Sequence, residues 1–143
     1  HSAGLASAVE CRGVVPFSGL AEVYREADCL VHCCDTGALD KVVLEAMSCG
    51  LPVITTAPVF RGILGSELAE YCVASEEDGG IPQRLLHFAQ MSSDNRHHLG
   101  RDLRDIVVKE HSLADLPSKL LGAISRTTRE RDTDSRRDDG PDR

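Results

Sequence analysis

The apolar positions of this chain change their period along its length, and that change predicts the architecture. From residue 8 to about 75, short apolar runs alternate with stretches of helical spacing, as strands and crossover helices of a parallel sheet do. Val9 to Val15 reads as a first strand ended by Pro16. Ser18 is a good cap for the helix that follows, in which Leu20, Ala21, Val23, Tyr24 and Ala27 recur at helical spacing. Cys29 to Cys34 is continuous enough in apolar character for a second strand buried on both faces.

After the small-residue loop Asp35-Thr36-Gly37-Ala38-Leu39 the pattern predicts a helix from Asp40 to Cys49, with Asp40 as N-cap. Gly50 supplies a left-handed C-terminal residue, and Leu51 to Thr56 makes a third strand whose Pro52 sits at its start. Tyr71 to Ala74 is a candidate fourth strand, with a short helix near Ile63 to Leu68 before it. The second half turns helical over Ile81 to Met91, Asn95 to Glu110 and Leu113 to Ser125. Asp94 is placed to cap the middle helix, and Ser112 with Asp115 has capping-box spacing. Beyond Arg126 almost no apolar residue remains, so a disordered charged tail over 126–143 is expected after a domain spanning 1–125. The predicted fold class is therefore α/β: a Rossmann-like parallel sheet of three to four strands flanked by helices.

One carboxylate stands out against this pattern. Glu45 lies within the apolar run Val42-Val43-Leu44-Glu45-Ala46-Met47, and burying an unpaired carboxylate there would cost several kcal/mol. It needs a partner, either Lys41 at i−4, a loop N–H, or a hydroxyl-bearing ligand. In open parallel sheets ligands bind beyond the carboxyl ends of the strands, which is where the loop preceding this helix lies. The unpaired N–H groups at the helix start, at Lys41 and Val42, favour an anion such as a phosphate, and Lys41 adds positive charge. Glu45 is five residues beyond the cap, about 7 Å along the axis at 1.5 Å per residue. That separation suits a ribose attached to a diphosphate held at the helix start.

Composition narrows the partners. The formal charge of −7 resides in the body, because the tail from Arg126 balances six Arg against six acidic residues. Without a basic stripe, and with aromatics limited to Phe17, Phe60, Phe88, Tyr24 and Tyr71, nucleic acid is not an expected partner. No apolar stretch approaches the roughly 20 residues that span a bilayer, and the expected domain is soluble. Cys11, Cys29, Cys33, Cys34, Cys49 and Cys72 form no CxxC knuckles. No metal site is expected, the strand thiols read as small buried hydrophobes, and a reducing, cytoplasmic setting fits. His32 reads as a satisfied core histidine, and His97 and His98, being adjacent, as surface residues.

The stretch Leu44-Glu45-Ala46-Met47-Ser48-Cys49-Gly50-Leu51-Pro52-Val53-Ile54 resembles the donor-site helix and following strand of GT-B-fold retaining glycosyltransferases of the glycogen-synthase and sucrose-synthase type (family 4-like, group 1). Tyr24-Arg25-Glu26-Ala27-Asp28 and the apolar strand after it resemble the element preceding that motif. The resemblance implies the carboxyl-terminal, nucleotide-sugar-binding half of a GT-B fold. Its donor would be a UDP- or GDP-sugar, with no metal and no separate cofactor, and Glu45 would bind the ribose. Where the family commonly has a donor-sugar Glu, this chain has Gly37. Some members carry instead a Thr-Gly-x-Leu-Asp-Lys loop, matched by Thr36 to Lys41, and Gly37, Ala38, Leu39, Asp40 and Lys41 would then face the diphosphate and sugar. The family's leaving-group cations and its acceptor-binding domain normally precede this region, and since the chain opens on His1 it reads as a fragment, inactive alone. Peripheral membrane association of the full enzyme is a further implication. A non-catalytic interaction or regulatory module on the same fold is the alternative.

Overall fold

In the computed structural model the described residues are 4, 7–34, 37–112, 114, 116–118, 120–122 and 124. The tail over 126–143, the loop residues Asp35 and Thr36, and Asp115 of the anticipated capping box lie outside them. The elements run α1 (Phe17–Glu26), β1 (Leu30–His32), α2 (Lys41–Ser48), β2 (Val53–Thr55), α3 (Val59–Cys72), a 3-10 turn (Glu76–Asp78), α4 (Gly80–Gln90) and α5 (Ser93–Glu110). Residues 116–118, 120–122 and 124 are also helical.

β1 and β2 are parallel, with Leu30 opposite Val53, Val31 opposite Ile54 and His32 opposite Thr55. A parallel bridge from Thr55 to Val73 lies on the other side of β2. The fold is therefore α/β in kind, but among the described residues its sheet has two strands and one further bridge, fewer than the three to four strands anticipated. Val9 to Val15 forms no strand: Val9 and Val14 are exposed, and Arg12 pairs with Glu10 and Glu26 instead. β-propensity alone does not hold a strand, whose backbone groups need a partner row. Of the anticipated strand from Tyr71 to Ala74, Tyr71 and Cys72 end α3 and Val73 alone makes the bridge. β2, flanked on both sides, is wholly buried; β1 is an edge, and its Val31 is 41% exposed rather than covered on both faces.

α2 packs one face into the core. Val43, Ala46 and Met47 put its apolar stripe into the core with Leu51, Val53, Phe60, Cys72 and Leu103. It ends in a Schellman motif: the Gly50 N–H donates to Met47 O at 2.9 Å and the Leu51 N–H to Ala46 O at 3.0 Å, with Gly50 at φ 76°. α5 crosses this end, where Arg104 donates to the Ser48 carbonyl, placing a cation at the negative pole of the helix.

Other boundaries moved for local reasons. α1 begins after Pro16, not at a Ser18 cap. α3 is longer than the Ile63–Leu68 helix expected and is interrupted at Gly65, whose φ of 70° only glycine adopts without strain. The cap of α5 is Ser92, whose hydroxyl accepts from the Asn95 N–H, rather than Asp94.

Candidate functional site

β1, β2 and the Val73 bridge all run in one direction, so their carboxyl ends open on the same side. A cavity of about 630 Å³ lies there, lined by Cys33 and Cys34 after β1, Thr56 after β2, and Val73, Ala74 and Ser75 at the bridge, with Arg61, Glu76 and Ile81 closing it. This is the location that the fold rule assigns to ligands, and the size is that of a small-molecule site. Arg61, which has no distinguishing context in the sequence, supplies a cation at its wall; its guanidinium is 3.8 Å from Asp78, a longer contact than the 3.0 Å Arg84–Asp78 pair.

The end of β1 is fixed by two threonines of β2 and its continuation. Thr56 accepts from the Cys34 N–H at 3.0 Å and donates to the Cys34 carbonyl at 3.2 Å. The buried Thr55 hydroxyl lies 2.9 Å from His32 Nδ1 and accepts from the Ala57 N–H at 3.1 Å. The other ring nitrogen, Nε2, is 3.0 Å from Asp40 Oδ2. Asp40 occupies the N-cap of α2 as the sequence predicts, yet its side chain makes no capping hydrogen bond and turns to His32 instead. His32 is therefore satisfied, as expected of it, by partners from β2 and from the start of α2.

Gly37, Ala38, Leu39 and Lys41 are exposed, and Gly37 has a φ of 72°. They present backbone and the Lys41 ammonium to solvent at the amino end of α2. Glu45 is half-buried and takes its hydrogen bond from neither Lys41 nor a loop N–H: the Tyr24 hydroxyl of α1 donates to Oε2 at 3.2 Å. Burial, and then this hydrogen bond, hold the Tyr24 phenol above its ordinary range, so that it remains a proton donor. Asp40 is thus brought together with His32, while Glu45 sits on the α1 side of α2, apart from the residues lining the carboxyl-end cavity.

The cysteines depart from expectation. All six are thiols; Cys33 is exposed and Cys34 half-buried, and the deeply buried one is Cys72. The Cys34 Sγ, a ring nitrogen of His32 and a carboxylate oxygen of Asp40 lie within 4.8 Å of one another. No spacing motif announces this trio, since it arises only when a strand end and a helix cap converge. The signal available in advance was the i, i+2 relation of His32 and Cys34, which puts both on one side of an extended segment.

Comparison with protein families matches residues 1–90 to the family described as Glycosyl transferases group 1. No curated protein and no solved structure matches.

Proposed function

The chain belongs to the group 1 glycosyltransferases, and from that premise we propose that it binds the nucleotide-sugar donor for retaining transfer of a glycosyl group, as the carboxyl-terminal domain of a GT-B enzyme. The observation that carries this reading is the cavity beyond the carboxyl ends of the parallel strands, whose wall residue Cys34 lies near Asp40, the residue that precedes α2. A diphosphate of a UDP- or GDP-sugar is proposed to rest on the N–H groups at Lys41 and Val42, with Lys41 and Arg61 as neighbouring cations. The loop Gly37 to Asp40 would face the sugar through its backbone. Glu45 keeps accepting capacity beyond the single Tyr24 hydrogen bond, since a carboxylate offers about four lone-pair sites, and its proposed role is the ribose hydroxyls. Transfer further requires an acceptor-side domain closing over the donor to exclude water, and the chain by itself is proposed to transfer little.

The Tyr24–Glu45 hydrogen bond favours a second reading. It gives Glu45 a partner within the fold, and with Gly37 in place of a donor-sugar Glu it suits a non-catalytic interaction or regulatory module on the same fold. Calorimetric titration of UDP, GDP and their sugar conjugates into the natural chain, Glu45→Ala and Glu45→Gln separates the two. Donor binding predicts measurable heat for the natural chain and weakened affinity for both variants. Absence of binding at millimolar ligand refutes donor binding, and binding unchanged by both substitutions refutes the ribose role.

A further inference from the structure

We propose that His32, Cys34 and Asp40 form a three-ligand site for a zinc-class divalent ion, through one imidazole nitrogen, the thiolate sulfur and one carboxylate oxygen. Nothing in the donor-binding reading requires this site, and the two stand or fall separately. The donor set is the first ground. Nitrogen, sulfur and oxygen together suit Zn²⁺, which takes all three, whereas Mg²⁺ and Ca²⁺ would demand oxygen throughout.

Geometry is the second ground. Bonds of about 2.0 Å to nitrogen and oxygen and 2.3 Å to sulfur place the ligand atoms of a tetrahedral ion roughly 3.3–3.8 Å apart. The three atoms already lie within 4.8 Å of one another, with the His32–Asp40 pair at 3.0 Å, so adjustments of about an ångström at side-chain torsions bring them onto an ion. The backbones that carry them are held: His32 is in register with Thr55, Cys34 is bonded twice to Thr56, and the Asp40 carbonyl accepts from the Val43 N–H at the start of α2.

The third ground is orientation. A metal-binding imidazole presents one nitrogen to the ion and commits the other to an oxygen acceptor. Here Nε2 faces Asp40 and Nδ1 faces the Thr55 hydroxyl, a fully buried group able to accept from Nδ1–H as well as from the Ala57 N–H. In the tautomer that carries its proton on Nε2, His32 donates to Asp40 and its Nδ1 accepts from Thr55. With metal, the proton resides on Nδ1, and the ion replaces the Nε2 proton between His32 and Asp40. Asp40 turns from its capping role toward this cluster, where its carboxylate and a Cys34 thiolate balance a 2+ charge. The three protein ligands leave a fourth position for water.

The test is titration of the full chain with Co²⁺ under anaerobic, reducing conditions, followed by displacement with Zn²⁺. A single equivalent of Co²⁺ is expected to produce a thiolate-to-cobalt charge-transfer band and tetrahedral visible bands, both removed by Zn²⁺. Cys34→Ser should abolish the charge-transfer band while Cys33→Ser retains it. His32→Ala and Asp40→Asn should each weaken Zn²⁺ binding at least as much as loss of an outer partner does, about 10- to 100-fold. Thr55→Val, which removes the Nδ1 partner of His32 together with the acceptor of the Ala57 N–H, should weaken it about tenfold in the fraction that circular dichroism shows to be folded. Circular dichroism of each metal-free variant reports folding; if His32→Ala does not fold, Asp40→Asn and Cys34→Ser decide. A band that survives Cys34→Ser, or Zn²⁺ affinity unchanged in Asp40→Asn, overturns the proposal.

Discussion

Tyr24 and Glu45 join α1 to α2 across 21 residues of sequence by a 3.2 Å hydrogen bond from phenol to carboxylate. Tyr24 is 9% exposed, so the bond joins a largely buried phenol to a half-buried carboxylate, and its loss would take a donor from that carboxylate. Hydrogen bonds to charged groups contribute about 1.5–3 kcal/mol. Tyr24→Phe is expected to destabilise the fold by about that amount in urea denaturation, and Glu45→Gln, which keeps an acceptor, by less. A double-mutant cycle with Tyr24→Phe and Glu45→Ala should give a coupling above about 0.5 kcal/mol. Strict additivity of the two substitutions would remove this bond from the account of Glu45.

The same pair shows what a sequence reveals and what it conceals. The apolar stripe of α2, its stop at Gly50 and the strand after Pro52 were legible because each depends on neighbours within a few residues, through helical period, a left-handed C-terminal residue and proline placement. That Glu45 required a partner was also legible. The partner was not, because Tyr24 reaches it only through the packing of α1 on α2. Residues Val9 to Val15 failed for a related reason: their apolar residues before Pro16 read as a strand, but among the described residues β1 pairs only with β2 and Val9 and Val14 are exposed. The convergence of His32, Cys34 and Asp40 likewise depends on where a strand ends relative to a helix cap, which no local period reports.

Gly100 of α5 lies against the carbonyl of Gly50, so closely that a Cβ at position 100 would overlap backbone atoms. Backbone there cannot yield as a flexible side chain would, because Gly50 is held in the Schellman motif that ends α2. Gly100→Ala gains helix propensity, about 0.8–1.0 kcal/mol on intrinsic scales. Overpacking of a tight contact is expected to outweigh that gain, for a net loss of about 1–3 kcal/mol. Thermal denaturation checks the sign: a Gly100→Ala chain that melts higher than the natural one would mean that α5 does not cross α2 at this distance.

Asp78 accepts from Ser75 at 2.7 Å and from Arg84 at 3.0 Å, with Arg61 nearby, and these contacts hold its carboxyl below the usual carboxylate range. A group whose folded-state pKa is depressed adds stability above its unfolded value and loses it as pH falls through the folded value. The stability difference between the natural chain and Asp78→Asn should therefore be full at neutral pH. It should begin to shrink as pH drops past about 3.9, the ordinary aspartate value. Denaturant midpoints measured for both chains from neutral to acid pH test this. A difference that grows on acidification would reverse the sign and rule out Asp78 as the anchor for Arg84.

Cys72 ends α3 in the core with Phe60, Met47 and Leu103, and burial pushes its thiol up to about 12. The thiolate is the reactive species, so at pH 8 Cys72 is doubly protected, by lack of access and by protonation. Cys11 and Cys33 are exposed by contrast. Iodoacetamide at pH 8 should label Cys11 and Cys33 rapidly in the native chain and Cys72 only on unfolding, with peptide mass spectrometry resolving the sites. The labelling rate of Cys72 in mild denaturant should then follow global unfolding, because Cys72 belongs to the same cluster that holds α2, β2 and α5 together. Labelling of Cys72 at the rate of Cys33 in native buffer would show instead that α3 opens independently of that core. The Gly65 interruption would be the place for such an opening to begin.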